Sequence, residues 1–185
     1  SALYYYTTAI DESIKLNDKY AVAAVYGYMA NTYADRYEFK KMLEVSERSL
    51  KLSEELQSNQ MLASSLYNIA YANYFNGDNM AARQHINKAL EIAVKDSLKD
   101  ELKNIYTVLS YITAREGDFK TSLWAKQKSD SIQQALLNEQ VIRTTTELEK
   151  KYESEKKDKQ IILQRSQLEK RKVLNYILIG SAVVL

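Results

Sequence analysis

The chain repeats one pattern of apolar and small residues at intervals of 40 positions. In each of three copies, an apolar residue is followed three positions later by a second one and then by alanine or serine. The matching triplets are Tyr26-Met29-Ala30, Leu66-Ile69-Ala70 and Tyr106-Leu109-Ser110. Repeats of this length are typical of arrays in which neighbouring units stack and bury a continuous core. We therefore predict three repeats over residues 19–135, preceded by the second half of a truncated repeat over residues 1–18.

Each copy is predicted to consist of two amphipathic helices. Within a copy the apolar positions recur at spacings of three and four, which is the period of one helix face. Proline is absent and glycine occurs only four times, which favours long helices over a turn-rich β-fold. Gly77-Asp78 and Gly117-Asp118 fall between the paired helices, where a tight turn needs a glycine. The fold class predicted from the residues is all-α.

The composition argues against catalysis. The chain has no cysteine and a single histidine, which makes a thiolate nucleophile, a Ser-His-Asp triad or a histidine-built metal centre very hard to assemble. The glycines are isolated from one another, so no phosphate-binding loop is present in the sequence. We predict no catalytic residue, no cofactor and no metal site, and no enzymatic activity for this fragment.

The middle copy resembles the tetratricopeptide repeat, a helix pair with small residues where its two helices meet. The residues that carry this resemblance are Leu66, Ile69, Ala70, Gly77, Asp78, Ala82, Ile86 and Ala89. The resemblance implies a right-handed α-solenoid whose concave face binds a peptide or another protein. The period of 40 exceeds the usual 34 of this family, which implies helices a few residues longer.

The first helix of the middle copy supplies an aromatic stripe to the expected concave face. Its members are Tyr67, Tyr71, Tyr74 and Phe75, and the next copy adds Tyr111. One interpretation is an aromatic-lined groove for a peptide. The alternative is that these rings pack between the helices, since aromatic residues at helical spacing often belong to a core.

Two asparagines match those of the carboxylate clamp found in chaperone-binding tetratricopeptide repeats. They are Asn31 and Asn68, and they are candidate binding residues on the concave face. The clamp also uses basic residues, and their positions hold Gly27, Asn104 and Val108 here. Because the charge-assisted bonds to a carboxylate would be missing, we predict that the groove is not such a clamp.

Residues 136–172 are predicted to form one long charged helix. Between positions 143 and 172 there are ten basic and six acidic residues, a local charge of +4 that leaves −2 for the rest of the chain. Mixed charge of this kind is unlike a nucleic-acid-binding face, and no nucleic-acid partner is predicted. A sparse apolar seam predicts a weak coiled coil, and hence a weak homodimer. The seam consists of Val141, Leu148, Tyr152 and Ile162.

The last thirteen residues, 173–185, carry no charge and are almost wholly apolar. As a helix they rise about 20 Å, which is less than the roughly 30 Å of a hydrocarbon core. We interpret them as the start of a transmembrane helix that is truncated, and the chain as a piece of a longer protein. The membrane is therefore a predicted partner of this segment.

The chain order resembles that of membrane-bound signalling proteins common in Bacteroidetes. The resemblance is carried by the repeats, by the stretch Glu-Leu-Glu-Lys-Lys-Tyr-Glu over positions 147–153, and by the basic-flanked apolar run. It implies an inner-membrane protein with periplasmic repeats and a cytoplasmic output, either a sensor histidine kinase or a helix-turn-helix regulator. The basic residues at 170–172 would by themselves place the repeats in the cytoplasm.

Two functional hypotheses follow. The first is a sensory or docking domain of a membrane-anchored signal-transduction protein, which binds a peptide or protein and relays binding to an output domain. The second is a membrane-tethered scaffold without an output domain.

Overall fold

The described residues form seven α-helices and no strand. A computed structural model describes the backbone of residues 2–183 and the side chains of residues 2–173. The helices are α1 (Ala2–Lys15), α2 (Lys19–Asp35), α3 (Phe39–Glu55), α4 (Asn59–Asn76), α5 (Asn79–Lys95), α6 (Lys99–Arg115) and α7 (Phe119–Val183). The all-α prediction is confirmed.

Every turn between successive helices has the same backbone geometry. One residue of each turn adopts a left-handed conformation, and these residues follow one another at intervals of 20: Asn17, Tyr37, Gln57, Gly77, Ser97 and Gly117. The residue after it donates its N–H to a carbonyl oxygen five positions earlier, as Asp78 does to Asn73 at 2.9 Å. This bond pairs a carbonyl at the helix end that would otherwise lack an intrahelical partner.

In four of the six turns, the residue that donates this N–H also caps the next helix with its side chain. The side chain of Asp78, for example, accepts the N–H of Ala81 at 2.9 Å, and Asp118 accepts that of Thr121 at 3.0 Å. Hydrogen bonds from the Thr121 side chain and backbone hold the pKa of Asp118 below its usual value. Each such cap satisfies an N–H that the first helical turn leaves open.

The helices of the unit that ends at Leu136 pack in chain order, each against the next. In addition, α2 contacts α4 and α4 contacts α6, so these three alternate helices lie side by side and share one face. The close contact between α4 and α5 depends on small side chains. Ala70, Ala82 and Ala89 are fully buried there, within a core that α4, α5 and α6 share.

On α3, Ser49 and Ser53 stand at the positions that Ala89 and Ala93 occupy in the middle pair, 40 residues later. Ser46, Ser49 and Ser53 are buried on α3. Ser49 donates to the carbonyl oxygen of Ala23 at 3.2 Å and accepts from Ser65 at 2.9 Å. Because each hydroxyl has a partner, serine fills the position of alanine without leaving a buried polar group unpaired.

The second unit begins at Leu137, and its described part, residues 137–183, is the remainder of α7. Every described side chain from 137 to 173 is exposed, including the predicted seam residues Val141, Leu148, Tyr152 and Ile162. Among the residues described, no helix has a stretch that is long and apolar enough to cross a membrane. The predicted membrane segment, 173–185, lies outside the described side chains apart from its first residue.

Candidate functional site

A polar groove runs across the face that α2, α4 and α6 share. It consists of two neighbouring cavities, a larger one of about 220 Å³ and a smaller one of about 150 Å³. Both are lined by Asn31 and Asn68. The larger cavity also contacts the first turns of α4 and α6 through Gln60 and Glu101, and the smaller one contacts the middle of α6 through Asn104. We call these two cavities together the groove.

Asn68 is the most unusual residue of the groove. Its side chain is only 3% exposed, because α4 lies between α2 and α6. Within the part of the chain that the structure describes, its Oδ1 is the one buried side-chain polar atom without a hydrogen-bond partner. An unpaired buried acceptor costs a fold roughly 1–3 kcal/mol. The Asn68 side chain lines both cavities, so a small movement of this side chain would let Oδ1 accept a hydrogen bond from a molecule bound there.

A buried carboxylate forms part of the larger cavity. Glu101 is 9% exposed, and its Oε1 accepts a hydrogen bond from Nε2 of Gln60 at 3.0 Å. Burial raises the pKa of the neighbouring Tyr67, and the charge of Glu101 adds to that rise. The Tyr67 hydroxyl therefore stays protonated near neutral pH and can donate a hydrogen bond.

Four of the seven predicted binding residues line the groove. Tyr67, Tyr71, Asn31 and Asn68 meet at the smaller cavity, where Tyr67 and Tyr71 are only partly exposed. Burial also raises the pKa of Tyr71. The structure thus brings together two of the aromatic candidates and both asparagines.

The other three candidates belong to an aromatic cluster that joins neighbouring helix pairs. Phe75 stacks on Phe39 of α3 with ring centroids 4.3 Å apart, and Tyr74 lies 5.0 Å from Phe75 and 6.0 Å from Tyr111 of α6. The guanidinium of Arg115 lies 3.6 Å from the centroid of the Tyr74 ring and donates to the Tyr74 carbonyl oxygen. Here the rings pack mainly against one another, although Phe75 and Tyr111 keep about two fifths of their surface exposed.

Sequence reasoning missed Glu101 and Gln60, the charged and amide groups of the larger cavity. Glutamate is rarely buried, so its residue type gives no reason to place a glutamate of the first helical turn in a cavity wall. The repeat contained a usable signal, because first-turn residues of α4 and α6 are 40 positions apart and lie side by side. Gln60 and Glu101 are 41 positions apart, one more than this spacing, and they are hydrogen-bonded to each other.

Two larger cavities open between α1 and α3, with volumes of about 390 and 560 Å³. Two ion pairs lie among their lining residues, Lys19 with Glu55 and Arg48 with Glu44, each at 2.7 Å or less. Among the described residues, no buried polar atom there lacks a partner. The groove is therefore the stronger candidate for a binding site.

No protein-family model and no curated protein matches the chain. Among the residues the structure describes, no group of three histidine, aspartate or glutamate side chains is placed to hold a metal ion. The functional argument rests on the groove itself.

Proposed function

We propose that the chain is a protein-interaction domain whose groove binds an extended peptide segment of another protein. The observation that carries this proposal is that Asn68, whose buried Oδ1 has no hydrogen-bond partner among the described residues, lines both cavities. A fold retains an unsatisfied acceptor of this kind at a cost, and a peptide N–H that bonds to it removes the cost.

An extended peptide suits the polar groups that line the groove. Its backbone offers donors and acceptors along its whole length, at about 3.3 Å per residue. Asn31, Asn68 and Asn104 come from three adjacent helices, and each amide can donate as well as accept. Tyr67 and Tyr71 add ring surface in the same cavity, which suits the apolar side chains of such a segment.

The arrangement of the helices supports a tetratricopeptide-like right-handed α-solenoid. The turns recur every 20 residues, successive helices pack in order, and alternate helices share a face. In a solenoid of this type the shared face of the first helices of each pair is the concave one, and it is there that the groove lies.

We further propose that this domain is the sensory or docking region of a membrane-anchored signalling protein. In that arrangement residues 173–185 enter the inner membrane and the repeats lie on its periplasmic side. The exposed seam residues on α7 would pair with a second copy and relay binding to an output domain. The exposure of Leu148 and Tyr152, at 61% and 69%, supports this role because nothing within the described chain covers them.

The peptide-binding proposal is tested by selection. Random dodecapeptides displayed on phage are selected for binding to the full chain, and the dissociation constants of the selected peptides are measured by calorimetry. We expect Asn68→Ala to weaken these peptides about tenfold, as loss of one buried hydrogen bond predicts. Asn68→Ala should not lower the free energy of unfolding by the amount that losing an Oδ1 hydrogen bond costs. In the free protein this oxygen makes no hydrogen bond that the substitution could remove.

The matched control is Asn87→Ala. Asn87 is exposed on α5, which contributes no residue to either cavity. Peptides that bind equally well to both variants, or a selection that yields no specific peptide, would reject the proposal.

A further inference from the structure

The larger cavity contains a carboxylate that forms no ion pair within the part of the chain that the structure describes. Its carboxylate, Glu101, is more than nine-tenths buried. One oxygen is bonded to the neutral amide of Gln60. Among the described residues that line either cavity, there is no lysine and no arginine. A buried ion without a partner of opposite charge is unfavourable, and binding a cation would relieve it.

The position of Glu101 in its helix stabilises this charge only in part. It lies in the first turn of α6, where the helix dipole favours an anion. That effect is modest, and it leaves the charge itself in place. The carboxylate therefore remains available to a ligand.

A second acceptor lies at the same cavity. Asn68 lines it, and the unpaired Oδ1 of this residue is an acceptor without a donor. The carboxylate and the amide oxygen are together complementary to a group that carries a positive charge and several N–H donors. Among peptide side chains, those of lysine and arginine have this combination.

The rest of the lining suits such a side chain. Ala23, Ala24 and Gly27 of α2 form a small, apolar part of the wall, against which a methylene stem can pack. Tyr20 and Tyr28 also line the cavity with rings that are more than half exposed. Their faces can attract a cation as well.

We propose that the larger cavity binds the cationic side chain of a lysine or arginine in the bound segment. This inference rests on the proposed function, and it specifies the chemistry of the partner. The groove then selects a positively charged segment, which is the opposite of the preference of a carboxylate clamp.

The test uses fluorescein-labelled nonapeptide pools that differ only at a fixed central residue. This residue is lysine, glutamine or glutamate, and the other positions are drawn from glycine, alanine, serine, leucine and asparagine. Binding to the full chain is followed by fluorescence polarisation. The lysine pool should bind about tenfold more tightly than the glutamine pool, and the glutamate pool should bind most weakly.

The variant Glu101→Gln should abolish the difference between the lysine and glutamine pools. Glutamine at this position can still accept the Gln60 bond, so the fold is kept. Glu91→Gln is the matched control, since it removes the same charge from an exposed position on α5. It should leave the preference for lysine unchanged.

The possible outcomes separate the two proposals. Equal binding of all three pools, weakened throughout by Asn68→Ala, would keep the peptide groove and overturn the cation site. Failure of every pool to bind would overturn both. Cadaverine, titrated alone, distinguishes a free amine from a peptide side chain. If it binds in a Glu101-dependent way while the lysine and glutamine pools bind alike, the cavity is a small-amine site and the peptide assignment is wrong.

Discussion

One chemical change, glycine to alanine, should have opposite effects at two positions of this chain. Gly27 lies inside helix α2, and Gly77 closes α4 with φ at +91°. A Cβ added at either glycine would meet no atom within 4 Å. Steric crowding by neighbouring atoms is therefore equal at the two sites, and the backbone conformation alone distinguishes them.

The magnitudes follow from this difference. In a helix interior, alanine is more favourable than glycine by roughly 1 kcal/mol, so Gly27→Ala should raise the free energy of unfolding. At a left-handed residue, a Cβ costs about 1–2 kcal/mol. Alanine also lowers the conformational entropy of the unfolded chain, and this offsets about 0.4–1 kcal/mol of that cost. Gly77→Ala should therefore destabilise the fold by about 1 kcal/mol, leaving a gap of about 2 kcal/mol between the variants.

The assay is urea unfolding followed by far-ultraviolet circular dichroism, supported by thermal melts. A gap of 2 kcal/mol corresponds to a separation of roughly 8 °C in Tm for a domain of this size. Ser97→Gly gives the reverse test, because Ser97 holds the equivalent turn position with φ at +54°. It should be neutral or stabilising. Shifts of the same sign for Gly27→Ala and Gly77→Ala would refute the assignment of the left-handed turn.

Three further predictions concern packing, acidity and the long helix. Ala82→Leu should overpack the contact between α4 and α5 and cost about 1–3 kcal/mol in urea unfolding, whereas Lys88→Ala at an exposed site should change it by less than about 0.5 kcal/mol. The pKa of Asp118 is lower in the folded protein than in the unfolded chain, so its stabilising contribution should be present above the unfolded-state pKa and lost as the pH falls through the folded-state pKa. Asp118→Asn keeps a helix cap but does not titrate, so it should flatten this part of the plot of stability against pH. If α7 pairs with a second copy in membranes, Leu148→Cys should cross-link more readily than Lys151→Cys, and equal cross-linking at the two sites would count against the relay.

Much of the fold could be predicted because the repeat determines it. The 40-residue period and the spacing of apolar positions within a copy predict helices, and Gly77 and Gly117 mark two of the turns. The turns at Tyr37, Gln57 and Ser97 could not be recognised from residue type. These side chains disfavour a left-handed backbone, and the packing of the flanking helices imposes it.

The candidate site was predictable only in part. Tyr67, Asn68 and Tyr71 lie on α4 and Asn31 lies on α2, and the repeat pattern places these two helices side by side. The separation of Tyr74 and Phe75 into an aromatic cluster depends on Phe39 and Arg115, which come from other helices. Single-helix periodicity carries no information about such partners, nor about the buried Glu101.

The equal spacing of the turns limits how a chain of this kind can change its length during evolution. An α-helix turns by about 100° per residue, so one residue deleted between Gln60 and Asn68 would rotate one of them away from the groove. A deletion of 20 residues removes one helix together with one turn and leaves the neighbouring turn geometry unchanged, but it exchanges the roles of alternate helices. A deletion or duplication of 40 preserves those roles as well. We therefore expect natural length variants of this domain to differ by multiples of 40 residues, gained or lost as whole helix pairs.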